Sequence, residues 1–258
     1  MFIKKHWLIK GNKKFLFPFL FIIHILILGE DLFYSIIGIS FIFMMNVLGS
    51  LLALLDKKSK YKDLYNGMAA GIMISASFFS LLLPASGFNL KYGWLIITIG
   101  FLLGSLMIYF FDKKNKEEKV LYAITIHNIP EGLSVGLAFG LGMYNNNLHE
   151  LYLALGLAIG IGIQNILETI GLVLILRDKY NQKKSFILSM LSGAVEPFFA
   201  IIGLWLSLYI NNSLPLFLSI AAGSMIYVVI DELTPENKNG KLGFVIGFIF
   251  MMMLDLAF

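Results

Sequence analysis

Apolar residues run along this chain in blocks of roughly twenty, the length an α-helix needs to cross a hydrocarbon core about 30 Å thick. Short charged or turn-rich breaks separate the blocks, which cover residues 15–29, 32–55, 64–86, 92–111, 120–144, 148–176, 185–210, 214–234 and 242–258. None of them alternates with a period of two. A closed barrel of strands, the other way to satisfy every backbone group inside a bilayer, therefore does not fit. The pattern predicts an all-α, polytopic transmembrane helical bundle.

The block at 15–29 is shorter than the others, and fifteen residues rise only about 22 Å. It carries Pro18 and His24 and follows the basic run Lys4, Lys5, Lys10, Lys13 and Lys14. A signal-peptide core is one reading. The small-x-small cleavage pattern is missing, since Leu28-Gly29-Glu30-Asp31 follows, so a short extra N-terminal helix is the better one. The chain then divides into a basic N-terminal segment with that helix, residues 1–31, and a helical membrane core, residues 32–258.

Charge supports this division. With nine spans and the N-terminus in the cytoplasm, 19 of the 20 basic residues fall inside and only Lys91 falls outside. Dropping the first span while keeping the core orientation leaves 14 inside and 6 outside. The positive-inside rule thus predicts an inner-membrane protein with its N-terminus inside and its C-terminus outside. The lysines lie in short loops, so the net charge of +4 points to the bilayer and not to nucleic acid. The run at 112–119 reads as a solvated charged loop. A hydrophobic fraction of 58% and a mean hydropathy of +0.82 leave no room for a soluble domain. Cysteine is absent, so any metal is left to oxygen and nitrogen ligands.

Within these apolar blocks a few polar side chains are candidates for function, because an ionisable group at membrane depth costs roughly 2.5–3.5 kcal/mol on insertion scales. His127-Asn128-Ile129-Pro130-Glu131-Gly132 is the densest such group. Helical spacing puts His127 and Glu131 on one face with Asn128 beside them. A related pattern returns as Gln164-Asn165-Ile166-Leu167-Glu168-Thr169. Glu196 is a third acid at depth, followed directly by Pro197. Pro130 and Pro197 remove backbone donors and free the carbonyls of Ile126 and Gly193, which could serve as further oxygen ligands. The second motif has Leu167 in place of proline, so its helix should be straighter. One imidazole, several carboxylates and amide oxygens on two packed helices can bind a divalent cation. Small residues around both motifs would let those helices approach closely. Enzyme motifs such as a zincin His pair, a phosphate loop or a nucleophile elbow are absent, and an intramembrane metalloprotease would need a second His on the same face.

These motifs, with Ser192-Gly193-Ala194-Val195-Glu196-Pro197, resemble the ZIP (Zrt/Irt-like) family of divalent metal transporters. Met68 to Ser80 and Ala222 to Pro235 look like its prokaryotic GufA-type branch. The resemblance implies an eight-helix core, sometimes with an added N-terminal helix, that carries Zn²⁺ and related ions such as Mn²⁺, Fe²⁺ or Cd²⁺ into the cytoplasm without a prosthetic group. It implies two adjacent metal sites. One would use His127, Glu131, Gln164 and Glu168 with Met73 alongside, and the other Asn128, Glu131, Asn165, Glu168 and Glu196. Asp231 and Glu232 become candidates for the cytoplasmic exit and Asp255 for the outer entrance. An elevator movement and a homodimer are further implications. Leu167, Thr169 and Gln164 depart from the family pattern and tilt the site toward oxygen. Two other readings stay open: a metal-binding membrane sensor without flux, and a proton-coupled carrier of another solute.

Overall fold

The computed structural model describes residues 29–55, 61–110, 116–209 and 213–257. The helix expected at 15–29 lies outside the described residues apart from its last position. The described chain forms eight helical rods: α1 Gly29–Ala53, α2 Lys62–Ser86, α3 Gly93–Tyr109, α4 Lys116–Asn145, α5 Leu148–Leu176, α6 Gln182–Leu206, α7 Leu214–Leu233 and α8 Lys238–Ala257. Strands are absent among the described residues.

Six of the rods are long and apolar enough to cross a membrane. The other two, α3 with 17 residues and α4 with the polar motif, lie where the apolar blocks at 92–111 and 120–144 place them. Several rods begin earlier than the apolar blocks because polar residues cap them. Asn181 accepts from the Lys184 amide at 2.9 Å to start α6, and Asn237 accepts from the Gly240 amide at 2.8 Å to start α8. Such caps satisfy donors that have no partner inside the helix. Asn147 starts α5 in the same way, 3.1 Å from the His149 amide. Asn146 just before it has a φ of 51°, a left-handed conformation that asparagine tolerates.

Irregularities sit where chemistry was expected. α6 breaks at Ala194, between Gln182–Gly193 and Val195–Leu206. Gly193 is the residue whose carbonyl Pro197 leaves without its helical donor. α5 is an unbroken 29-residue helix, and α4 likewise runs unbroken for 30 residues through Pro130, so the presence or absence of proline does not distinguish the two motif helices in continuity. Two π-helical stretches, Ser77–Leu82 in α2 and Val229–Leu233 in α7, have no signal in the hydrophobic pattern.

The rods pack as two groups of four. α1 lies along α5, α4 lies along both α5 and α6, and these make one bundle. α2 lies along α8 and α3 along α7, and these make the other, while α4–α7 and α2–α5 contacts join the two. Glycine sets the close approach. A Cβ on Gly136 of α4 would collide with the Ala200 carbonyl of α6, and one on Gly71 of α2 with the Phe244 carbonyl of α8. Backbones this close are the membrane solution to packing without a hydrophobic driving force between helices. The largest apolar cluster holds Met73, Ile124, Leu172 and Met225 together across the two bundles. Large apolar side chains such as Phe33, Met44, Trp94 and Phe110 face outward, the reverse of a water-soluble surface.

Candidate metal site

The two polar motifs meet face to face between α4 and α5. His127 Nε2 lies 3.2 Å from Glu168 Oε2, and Gln164 Nε2 donates to Glu131 Oε1 at 2.9 Å. The paired numbers run in opposite directions, so the antiparallel rods are cross-braced at two levels one turn apart. Glu196 comes in from the broken α6 and accepts from Asn165 Nδ2 at 2.6 Å. Asn128 Nδ2 donates to the Ser192 carbonyl at 3.2 Å, beside the α6 break. All seven of these side chains are buried, none more than 2% exposed.

What the braces leave over is more informative. Asn128 Oδ1, Glu131 Oε2, Gln164 Oε1, Asn165 Oδ1 and Glu168 Oε1 are buried with no hydrogen-bond partner. Buried acceptors without donors are costly. Five of them in one cluster, with no matching surplus of donors, are a place for positive charge. His127 sharpens the point. Its Nδ1 faces the Ala123 carbonyl at 3.2 Å, and a carbonyl can only accept, so Nδ1 carries hydrogen. In the neutral ring the Nε2 lone pair then points at a carboxylate oxygen. Two facing acceptors are reconciled by a proton or a metal ion. Among the described residues no three His, Asp or Glu side chains gather tightly enough to hold an ion by themselves. The amide oxygens are therefore needed to complete a shell.

The cluster lies on a stripe of α5 that is flanked at both ends by further polar side chains. On α5, Gly160, Gln164, Glu168 and Gly171 fall within an arc of about 80° at 100° per residue. At one end, Gly160 lies open to Ser80, Met251 and Asp255, where Ser80 Oγ donates to Asp255 Oδ1 at 2.6 Å and Asp255 Oδ2 has no partner. At the other end, Gly171 lies against Asn66 Oδ1, which is also buried and unpartnered. Asn66 lines a pocket of about 580 Å³ together with Asp63, Lys119, Asp231, Glu232 and Asn237. On α4, Lys119, Ala123, His127 and Glu131 form a matching stripe at successive four-residue steps. Met73 shares its face of α2 with Asn66 and Ser77 and is fully buried, like the polar side chains of the cluster.

Comparison with known proteins agrees. A family profile described as ZIP Zinc transporter matches residues 119–255. The zinc transporter ZIPB of Bordetella bronchiseptica is 30% identical over 257 residues, covering 87% of this chain and 81% of the relative. The chain belongs to the ZIP zinc transporter family. The zinc transporter GufA of Myxococcus xanthus is 30% identical over 79% of this chain and 89% of its own. The zinc transporter ZupT of Chlorobium chlorochromatii is 27% identical over 81% and 90%. As a ZIP protein the chain is a membrane transporter and not an enzyme, and a divalent metal is its class of substrate.

Sequence reasoning missed three residues of the ZIP chain. Asn46 on α1 donates to Glu196 Oε1 at 3.2 Å, although α1 carries no motif. Asp63, three residues before Asn66 on α2 and lining the same pocket, was the available signal for Asn66, read as a boundary charge. Lys119 corrects the reading of 112–119 as a solvated loop: it is part of α4 and lies 2.9 Å from both Asp231 Oδ2 and Glu232 Oε1. Its spacing of eight residues from His127 was the available signal, hidden by treating the charged run as one unit.

Proposed function

We propose that this ZIP protein imports Zn²⁺ and related divalent ions, Cd²⁺, Mn²⁺ and Fe²⁺ among them, across the cytoplasmic membrane through a pair of adjacent mid-membrane sites. The observation that carries the reading is the set of unpartnered buried oxygens around the His127–Glu168 and Glu131–Gln164 braces. His127, Glu131, Gln164 and Glu168 form the first site, with Met73 on the α2 side. Asn128, Glu131, Asn165, Glu168 and Glu196 form the second, and the two motif glutamates bridge them. The zinc transporters among its relatives support Zn²⁺ as the main cargo.

Ions enter at Asp255 and leave past Asp231 and Glu232 into the Asn66 pocket. The distribution of basic residues supports this orientation, with the N-terminus inside and the C-terminus outside. The division of contacts supports an elevator, in which α1, α4, α5 and α6 carry the sites past α2, α3, α7 and α8. In that picture the second bundle is fixed and shared with another copy in a homodimer.

The test is uptake into proteoliposomes. Wild-type protein takes up Zn²⁺ saturably and Cd²⁺ competes. Glu131→Ala and Glu168→Ala reach the membrane folded but lose uptake, because each removes a ligand common to both sites. Zn²⁺ binding without saturable flux would make the protein a sensor instead. Indifference of its flux to both metals would point to a proton-coupled carrier.

A further inference from the structure

We infer that Asn46 of α1 is a further residue of the ion site, holding the Glu196 carboxylate in the empty carrier and turning its own carbonyl oxygen to the ion when one is bound. Asn46 is 1% exposed. Its Nδ2 donates to the Ile42 carbonyl and to Glu196 Oε1, both at 3.2 Å, while its Oδ1 is buried without a partner. Asn165 Nδ2 grips the other oxygen of the same carboxylate at 2.6 Å. Glu196 is thus clamped by amides from two helices.

The approach of Asn46 depends on Gly193 at the α6 break, where a Cβ would lie 2.6 Å from Asn46 Cγ and 2.7 Å from Oδ1. The missing side chain lets the amide reach the carboxylate. A buried carboxylate with no cation needs donors, and the two amides supply them. A bound divalent ion takes over the carboxylate lone pairs and makes those donors surplus. The terminal torsion of asparagine is broad and roughly two-fold, so a half-turn about Cβ–Cγ exchanges Nδ2 for Oδ1 at the same place. The unpartnered Oδ1 gives up no bond by leaving its present position, so beyond the donation to Glu196 the turn costs only that of Nδ2 to the Ile42 carbonyl, which the contact with the ion offsets. Asn46 therefore acts as a positioning residue in the empty state and adds an oxygen ligand in the loaded one, favouring ions that accept oxygen shells.

This inference rests on the transport reading above, and the experiment separates the two. Zn²⁺ is titrated calorimetrically into the purified full chain, and net uptake and Zn²⁺–Zn²⁺ exchange are measured in proteoliposomes. Asn46→Leu, nearly the same volume without the amide, should bind Zn²⁺ about tenfold more weakly than Asn46→Asp, since both lose the donor to Glu196 and only the aspartate keeps an oxygen for the ion. Asn46→Asp keeps an oxygen but loses the donor. It should retain exchange while net uptake falls about tenfold, because two carboxylates then face each other during the empty return. A merely structural role would slow both fluxes alike. Equal Zn²⁺ affinity in Asn46→Leu and Asn46→Asp, or equal slowing of exchange and net uptake in Asn46→Asp, overturns the assignment. If Asn46→Leu does not reach the membrane, the exchange-to-uptake ratio of Asn46→Asp decides. A wild-type protein that neither binds nor moves Zn²⁺ refutes the transport reading itself, whereas variants indistinguishable from a transporting wild type refute only the role of Asn46.

Discussion

Replacing Gln164 with histidine probes the link between ligand chemistry and turnover. Gln164 is 1% exposed, donates through Nε2 to Glu131 Oε1 at 2.9 Å, and leaves its Oε1 unpartnered. The substitution changes two things with the same sign for Zn²⁺ binding. It exchanges a neutral amide oxygen for an imidazole nitrogen, which Zn²⁺ binds more strongly. It also takes the amide donor from Glu131, whose Oε2 already lacks one. A hydrogen bond to a charged group contributes about 1.5–3 kcal/mol, so the empty site loses that stabilisation and the gain on binding an ion is larger. Tightening of at least about tenfold, or roughly 1.4 kcal/mol, is expected. Mn²⁺ gains less from imidazole and should tighten less. Net uptake of Zn²⁺ should fall at saturating metal, since a carrier that holds its ion harder releases it more slowly. Gln164→Leu separates the two effects, because it removes the donor without supplying a ligand and should bind Zn²⁺ more weakly than Gln164→His. Equilibrium titrations of both metals with all three proteins make the measurement. An unchanged Zn²⁺ affinity in Gln164→His would remove Gln164 from the coordination shell and refute the argument.

Two further outcomes are expected. Lys119 ties α4 of one bundle to Asp231 and Glu232 of the other, so Lys119→Met should leave Zn²⁺ affinity within about twofold of wild type and speed uptake by between about two- and thirtyfold, taking about 0.2–1 kcal/mol for each partly exposed ion pair; initial rates in proteoliposomes decide it, and an unchanged or slower rate means that the tie does not resist movement. For orientation, a cysteine replacing His149, exposed at the start of α5, should label with an impermeant thiol reagent from outside, whereas one replacing Lys183, exposed in the first turn of α6, should not. The wild type has no cysteine to confuse the signal, and the reverse labelling would turn import into export.

The sequence by itself determined the spans and the polar groups within them, because both are properties of a single helix. Hydropathy depends only on neighbours along the chain, so the eight described rods follow the apolar blocks, extended by caps such as Asn181 and Asn237. The four-residue spacing put His127 and Glu131 on one stripe, and proline chemistry foretold the disturbed backbone near Gly193, whereas α4 runs unbroken through Pro130. Family motifs then pointed to the same acids. Spacing along one helix does not say which stripe of another helix it meets. That depends on rotation and axial register, which glycines such as Gly136 and Gly71 set by letting particular backbones touch. Only the tertiary structure therefore paired Glu168 with His127 and Glu131 with Gln164, brought Asn46 through the gap at Gly193 to Glu196, and carried Lys119 to the acids of α7. The π-helical turn bearing Asp231 and Glu232 was hidden for a related reason. It lengthens a helical turn by one residue without changing the apolar pattern, and packing against neighbouring helices decides where that residue goes.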